Sequence, residues 1–119
     1  MFEVMIESHF SAAHHLLNYN GECERQHGHN WKVEVYLQGD TLDKSGILVD
    51  FKILKKEVNE LLDTLDHKDI NTLEMFKDKS PSSENISQYL YFELKKKFEN
   101  IKKVSVWETE NACASFFEE

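Results

Sequence analysis

An α+β domain with a four-stranded antiparallel sheet and two helices, in the order ββααββ, is what the 119-residue sequence predicts. Three observations carry that expectation. Apolar and polar residues alternate near the amino terminus and again after residue 30. Two later segments repeat apolar residues every three or four positions, and short apolar alternation returns near the carboxyl terminus. Runs of strands and runs of helices, without strict alternation, favour an antiparallel sheet over a doubly wound parallel one.

Taken in order, Phe2, Val4, Ile6 and Phe10 alternate with Glu3, Met5, Glu7 and His9, which is strand periodicity with Ser8 as one weak inward position. Residues 11–30 read as a long irregular connection, and such a loop in a small domain is usually functional. Trp31, Val33, Val35 and Leu37 alternate with Lys32, Glu34, Tyr36 and Gln38 as a second strand. Asp50 can cap a helix over 51–65, whose apolar stripe is Phe51, Leu54, Val58, Leu61 and Leu65 and which Asp66-His67 closes. Residues 68–80 read as loop. Ser80 as N-cap and Pro81 in the first turn open a second helix, with Ile86, Leu90, Leu94 and Phe98 as its buried stripe. A third strand is expected near Val104 and Val106, and a fourth over 112–117. The helices back one sheet face, and Phe116, Phe117, Trp31 and Trp107 are expected to supply an oligomer surface on the other.

The length suits a single domain over 1–119. Fourteen basic residues against 22 acidic ones give a net charge of −8, which argues against nonspecific nucleic-acid binding and against docking on anionic membranes. Met1 to Val4 run straight into a strand pattern, so no signal peptide is expected, and no apolar run reaches membrane-spanning length. Cys23 and Cys113 are too few for a disulfide framework. The expectation is a cytoplasmic protein with both thiols reduced, Cys113 being a buried small apolar residue.

The richest chemistry lies in Cys23-Glu24-Arg25-Gln26-His27-Gly28-His29. On extended backbone His27 and His29 point to one face and form half of a metal site. Imidazole suits zinc, and a third ring is available from His14 or His15 in Phe10-Ser11-Ala12-Ala13-His14-His15-Leu16. Three nitrogen ligands leave zinc an open position, the catalytic pattern. Cys23, four residues before His27, is a candidate nucleophile or base. The competing reading is a closed structural site in which the Cys23 thiolate joins the histidines on the metal.

These segments resemble the 6-pyruvoyltetrahydropterin synthase and 6-carboxytetrahydropterin synthase family. FSAAHHL is similar to its first zinc-ligand motif, CERQHGH to its nucleophile and second zinc motif, and Leu65-Asp66-His67 to its catalytic Asp-His pair. Pro81-Ser82-Ser83-Glu84-Asn85 resembles the segment that contacts the pterin ring, and Trp107 to Asn111 the segment with the pterin-anchoring Glu. Five motifs in the right order are specific where any one would be weak. The resemblance implies the tunnelling fold, Zn2+ as cofactor, a pterin substrate, and a homohexamer made of two stacked trimers with sites between subunits.

It also implies the roles. His14, His27 and His29 hold zinc, with His15 outside the shell. Cys23 is the base; a free thiol titrates near ~8.5, and zinc and Arg25 would favour its thiolate. Asp66 orients His67, which returns a proton. Glu108 grips the guanidine-like edge of the pterin, because a carboxylate accepts two parallel donors. Glu84, Ser82 and Ser83 add contacts at the second helix start, where simple helix capping is the plainer reading. Arg25, Lys52 and Lys68 are the cations considered for the triphosphate.

The implied reaction converts 7,8-dihydroneopterin triphosphate to 6-carboxy-5,6,7,8-tetrahydropterin, acetaldehyde and triphosphate, in queuosine biosynthesis. The short chain leans toward this bacterial type over the 6-pyruvoyltetrahydropterin reaction. Glu24 complicates the picture: where a Glu takes the Cys role, the family forms 6-hydroxymethyl-7,8-dihydropterin for folate synthesis. The Cys23-Glu24 pair therefore resembles a subgroup serving both pathways, against the reading of Glu24 as one more surface acid. The alternative of another class is a zinc- and pterin-binding protein without turnover.

Overall fold

In the computed structural model, which describes residues 1–20 and 24–119, two long strands form the spine. Cys23 lies outside the described residues. Strand β1 (Phe2–His14) and strand β2 (His27–Gly39) pair antiparallel along their full lengths, from Phe2 opposite Gly39 to His14 opposite His27. Helix α1 (Phe51–Leu62) follows, then a two-residue strand β3 (Lys68–Asp69) and two 3-10 turns at Ile70–Thr72 and Glu74–Phe76. Helix α2 (Ser83–Lys95), strand β4 (Ile101–Thr109) and strand β5 (Ala112–Phe116) complete the order. The sheet runs β3-β1-β2-β4-β5, antiparallel except where β3 lies parallel to Ala12 and Ala13 of β1.

The α+β expectation stands, with a fifth strand added. The supposed irregular stretch 11–30 is shorter than expected, because β1 continues to His14 and β2 begins at His27. Alternation persists there, but its inward positions are Ala12, His14, His27 and His29, and the polarity of the three imidazoles hides the strand pattern. Helix α1 ends at Leu62, three residues early; the chain turns, yet Leu65 remains buried. Helix α2 is capped by Ser82, whose Oγ accepts the Asn85 N–H, and not by Ser80. Ser80 and Pro81 stay outside the helix because both face the β1 end: Ser80 Oγ accepts the Leu17 N–H and the Pro81 carbonyl faces His14.

One sheet face packs on the helices. Trp31, Val33, Val35 and Leu37 of β2 are fully buried against Leu54, Val58 and Leu62 of α1 and Ile86, Leu90 and Leu94 of α2. Side chains of this size are each worth about 1.5–3 kcal/mol on burial, so this layer fixes the strand register. Trp31 therefore cannot belong to an outer oligomer surface. Phe116 also turns inward, its ring 5.0 Å from Tyr91, while Phe117 is exposed. Cys113 is exposed, not buried, because it pairs with Trp107 on the outward side of β5. No helix among the described residues is long and apolar enough to cross a membrane.

Candidate metal centre and active site

Register alone brings the histidines together. His14 and His27 face each other at the end of the β1–β2 ladder, and His29 stands two residues along on the same face, opposite Ala12. The ring centroids of His14 and His27 are 4.7 Å apart, and those of His27 and His29 4.6 Å. The buried ring of Trp31 forms the floor, 4.7 Å from His14 and 5.5 Å from His29, and is held by its indole N–H donating to the Ala12 carbonyl. Trp31 is a site residue that the sequence reading missed; its place two residues after His29 on one strand was the available signal.

Glu108 completes the group. It lies two residues past inward-facing Val106, where the β4–β5 register slips between Trp107 and Thr109. Such bulges re-aim a side chain. Its Oε1 stands 3.2 Å from His14 Nε2, 3.5 Å from His27 Nε2 and 2.9 Å from His29 Nε2. The ligating atoms of all four residues lie within 4.8 Å of one another. A pterin-anchoring role was expected of Glu108; the geometry also sets its carboxylate within ligating distance of the same point as the three imidazoles.

The donor set fits a metal cation. His14 Nδ1 lies 2.7 Å from the Pro81 carbonyl and His27 Nδ1 3.0 Å from the Arg25 carbonyl. Carbonyls only accept, so each Nδ1 carries a proton, and each Nε2, aimed at Glu108 Oε1, is the nitrogen left for a metal. His29 Nε2 is buried with no hydrogen-bond partner, since Glu108 Oε1, though near, lies outside hydrogen-bonding geometry. An orphaned buried nitrogen among lone pairs and a carboxylate is stabilised by a cation at their centre. Burial pushes the His29 pKa down, which favours the neutral ligand form, while the Arg25 carbonyl bond raises that of His27. Imidazoles with a carboxylate suit zinc. His15 is outside this group: its Nε2 approaches Asn71 Nδ2 at 3.4 Å.

Asp66 and His67 sit at the β1 edge. The Ser11 N–H donates to Asp66 Oδ1 at 2.8 Å and the His67 N–H donates to the Ser11 carbonyl at 2.6 Å. This accounts for an acid after a helix C-terminus, where it opposes the macrodipole: it pairs a strand-edge amide. The Ser11 amide, with smaller help from His67, holds the Asp66 carboxyl below its ordinary range. His67 adopts φ 57°, and its exposed ring meets Asp66 Oδ2 through Nδ1 at 2.9 Å. That leaves Nε2 free toward solvent. His67 and His29 line one open cleft of about 500 Å³, together with Ser11, Ala13, Gly28 and Lys68.

The remaining predicted residues spread around this centre. Glu24 Oε1 accepts the Leu16 N–H and lies 3.9 Å from His27 Nδ1. Ser82 caps α2, Ser83 is its first residue, and Glu84 is exposed in its first turn, where an acid complements the helix dipole. Lys68 lines the cleft; Arg25 and Lys52 are exposed.

The 6-pyruvoyl tetrahydropterin synthase family model matches residues 3–119. The chain is 32% identical to the 6-carboxy-5,6,7,8-tetrahydropterin synthase of Synechocystis, over 98% of this chain and 94% of that one. It is 31% identical to a dihydroneopterin monophosphate aldolase of Pyrococcus furiosus, over 88% of each chain. Among solved structures, the Caenorhabditis elegans 6-pyruvoyl tetrahydropterin synthase superposes with a TM-score of 0.84 at 30% identity, covering 100% of this chain and 98% of that one.

Proposed function

The chain belongs to the 6-pyruvoyl tetrahydropterin synthase family, and from that premise we propose that it is a zinc-dependent 6-carboxy-5,6,7,8-tetrahydropterin synthase. It would act as a lyase on 7,8-dihydroneopterin triphosphate in the cytoplasm, forming 6-carboxytetrahydropterin, acetaldehyde and triphosphate for queuosine biosynthesis. The observation that carries this reading is the convergence of three imidazole nitrogens and one carboxylate oxygen at the end of the β1–β2 ladder.

His14, His27 and His29 would hold zinc, which when bound supplies Lewis acidity toward the substrate's side-chain oxygens. Trp31 seals the floor against water. Glu108 accepts the paired N–H donors of the pterin edge. Cys23 removes a side-chain proton. His67 returns one from Nε2, its ring oriented by Asp66 on Nδ1. Ser82, Ser83 and Glu84 add contacts to the pterin at the start of α2. Incubation of the zinc-loaded protein with 7,8-dihydroneopterin triphosphate, with products identified by mass, should give 6-carboxytetrahydropterin and acetaldehyde. Intact substrate would overturn the enzyme reading in favour of a pterin-binding protein without turnover. 6-Pyruvoyltetrahydropterin as product would overturn the branch assignment.

A second reading adds an aldolase-type activity based on Glu24. What favours it is the position of Glu24, 3.9 Å from a metal-centre imidazole, and similarity to an aldolase relative.

We also propose a homohexamer, a dimer of trimers. Among the described residues, β1 has a strand partner on its second edge only at Ala12 and Ala13, and β5 ends the sheet. Phe2, Met5, Phe51 and Ile53 stand exposed near the β1 side. Open edges beside apolar side chains favour pairing with another copy. Sedimentation should give six times the 14.0 kDa chain mass. A monomer with full activity would contradict it.

A further inference from the structure

The metal-bearing half of β1 lacks a full neighbouring strand, and the chain compensates with side chains. Segment 66–71 holds the edge residue by residue. Asp66 and His67 take the Ser11 N–H and carbonyl, and β3 pairs with Ala12 and Ala13. At Asp69 the strand gives way to a 3-10 turn, so no backbone is left to pair beyond Ala13. There Asn71 substitutes for it. The His15 N–H donates to Asn71 Oδ1 at 2.9 Å, and Asn71 Nδ2 donates to the His15 carbonyl at 3.0 Å. One primary amide thus makes both bonds that a strand residue would have made. Asn71 is itself fixed, because its N–H donates to Asp69 Oδ1 at 3.2 Å and its neighbour Ile70 is fully buried.

The next two amides are held in the same way. The Leu16 N–H donates to Glu24 Oε1 at 3.1 Å, and the Leu17 N–H to Ser80 Oγ at 3.0 Å. Three successive N–H groups after His14 are therefore held by three side chains from separate parts of the chain. His14 is the last residue of β1, and its ring is tethered on its far side to the Pro81 carbonyl. A strand end without this support frays, and the His14 ring would lose its aim.

We propose that Asn71 is a positioning residue for the metal centre, acting through the His15 backbone to fix His14. The inference rests on the metal reading above. Partners behind a ligand typically change metal affinity by roughly 10- to 100-fold when removed. The test titrates zinc against a chelator and records the cobalt(II) spectrum of the full chain. Wild type, Asn71→Ala, Asn71→Asp and the core truncation Val58→Ala are compared, with thermal melting alongside.

Asn71→Ala should bind zinc roughly 10- to 100-fold more weakly and shift the cobalt bands. Asn71→Asp keeps the acceptor for the His15 N–H but turns a carboxylate oxygen on the carbonyl, so it should fall between. Val58→Ala should melt earlier with unchanged affinity and spectrum. Wild-type affinity and bands in Asn71→Ala would overturn the proposal, as would an equal loss in Val58→Ala, which marks mere destabilisation. If Asn71→Ala does not fold, Asn71→Asp against Val58→Ala decides on the same readouts. A wild type that binds no metal would refute the metal centre itself, and this inference with it.

Discussion

Replacing any one of His14, His27 and His29 by Ala should remove bound metal and product formation together. The three Nε2 atoms surround one carboxylate oxygen, and no other imidazole among the described residues joins the group. A bound Lewis acid supplies several kcal/mol to a developing oxyanion, and each ~1.36 kcal/mol is a factor of ten, so activity should fall by at least ~100-fold. Metal content and turnover measured on the same preparations check this. His15→Ala should keep its metal, because its ring turns toward Asn71. Glu108→Gln separates the two uses of that carboxylate. A raised KM with full metal content marks the pterin anchor, and a lowered metal content marks a ligand. Full occupancy in two of the three histidine variants would sink the ligand assignment.

The second large effect concerns which product forms. Cys23→Ala should abolish 6-carboxytetrahydropterin, since removing a general base is typically worth ~100- to 10,000-fold. If the protein is dual, some 6-hydroxymethyldihydropterin should survive in that variant and vanish in Glu24→Ala. Glu24 is also a brace, however, taking the Leu16 N–H with its side chain while its own N–H donates to the Leu16 carbonyl. Glu24→Ala would loosen the loop as well as remove a carboxylate. Glu24→Gln keeps an acceptor for Leu16 and loses only the base. Unchanged product yields in Glu24→Gln would make Glu24 a brace with no part in the chemistry, and loss of the hydroxymethyl product alone would establish the second activity.

Most of this centre could be read in the residues, for a physical reason. Two histidines two apart share a face in any strand, so His27 and His29 were legible without a fold. Long apolar periodicities at Trp31–Leu37 and along both helices placed the buried layer. Three things were not legible. The ends of β1 and β2 were concealed because their inward positions carry imidazoles, which keep the strand register but break the apolar alternation. The role of Trp31 as a floor needed the register that sets it beside His14. The start of α2 was misplaced because Ser80 and Ser82 are both good caps by type. Only tertiary contact with Leu17 and His14 keeps Ser80-Pro81 out of the helix. Glu108 shows the same limit, since its aim depends on a β4–β5 bulge that no local pattern announces.

In the proposed catalytic centre the metal is held by imidazole and not by the Cys23 thiolate, a difference that zinc-edge X-ray absorption of the protein reads out. The spectrum should show one zinc per chain, with nitrogen and oxygen neighbours at about 2.0–2.1 Å and no sulfur. A sulfur neighbour at about 2.3 Å would place Cys23 on the metal, close the open position and contradict the proposed chemistry.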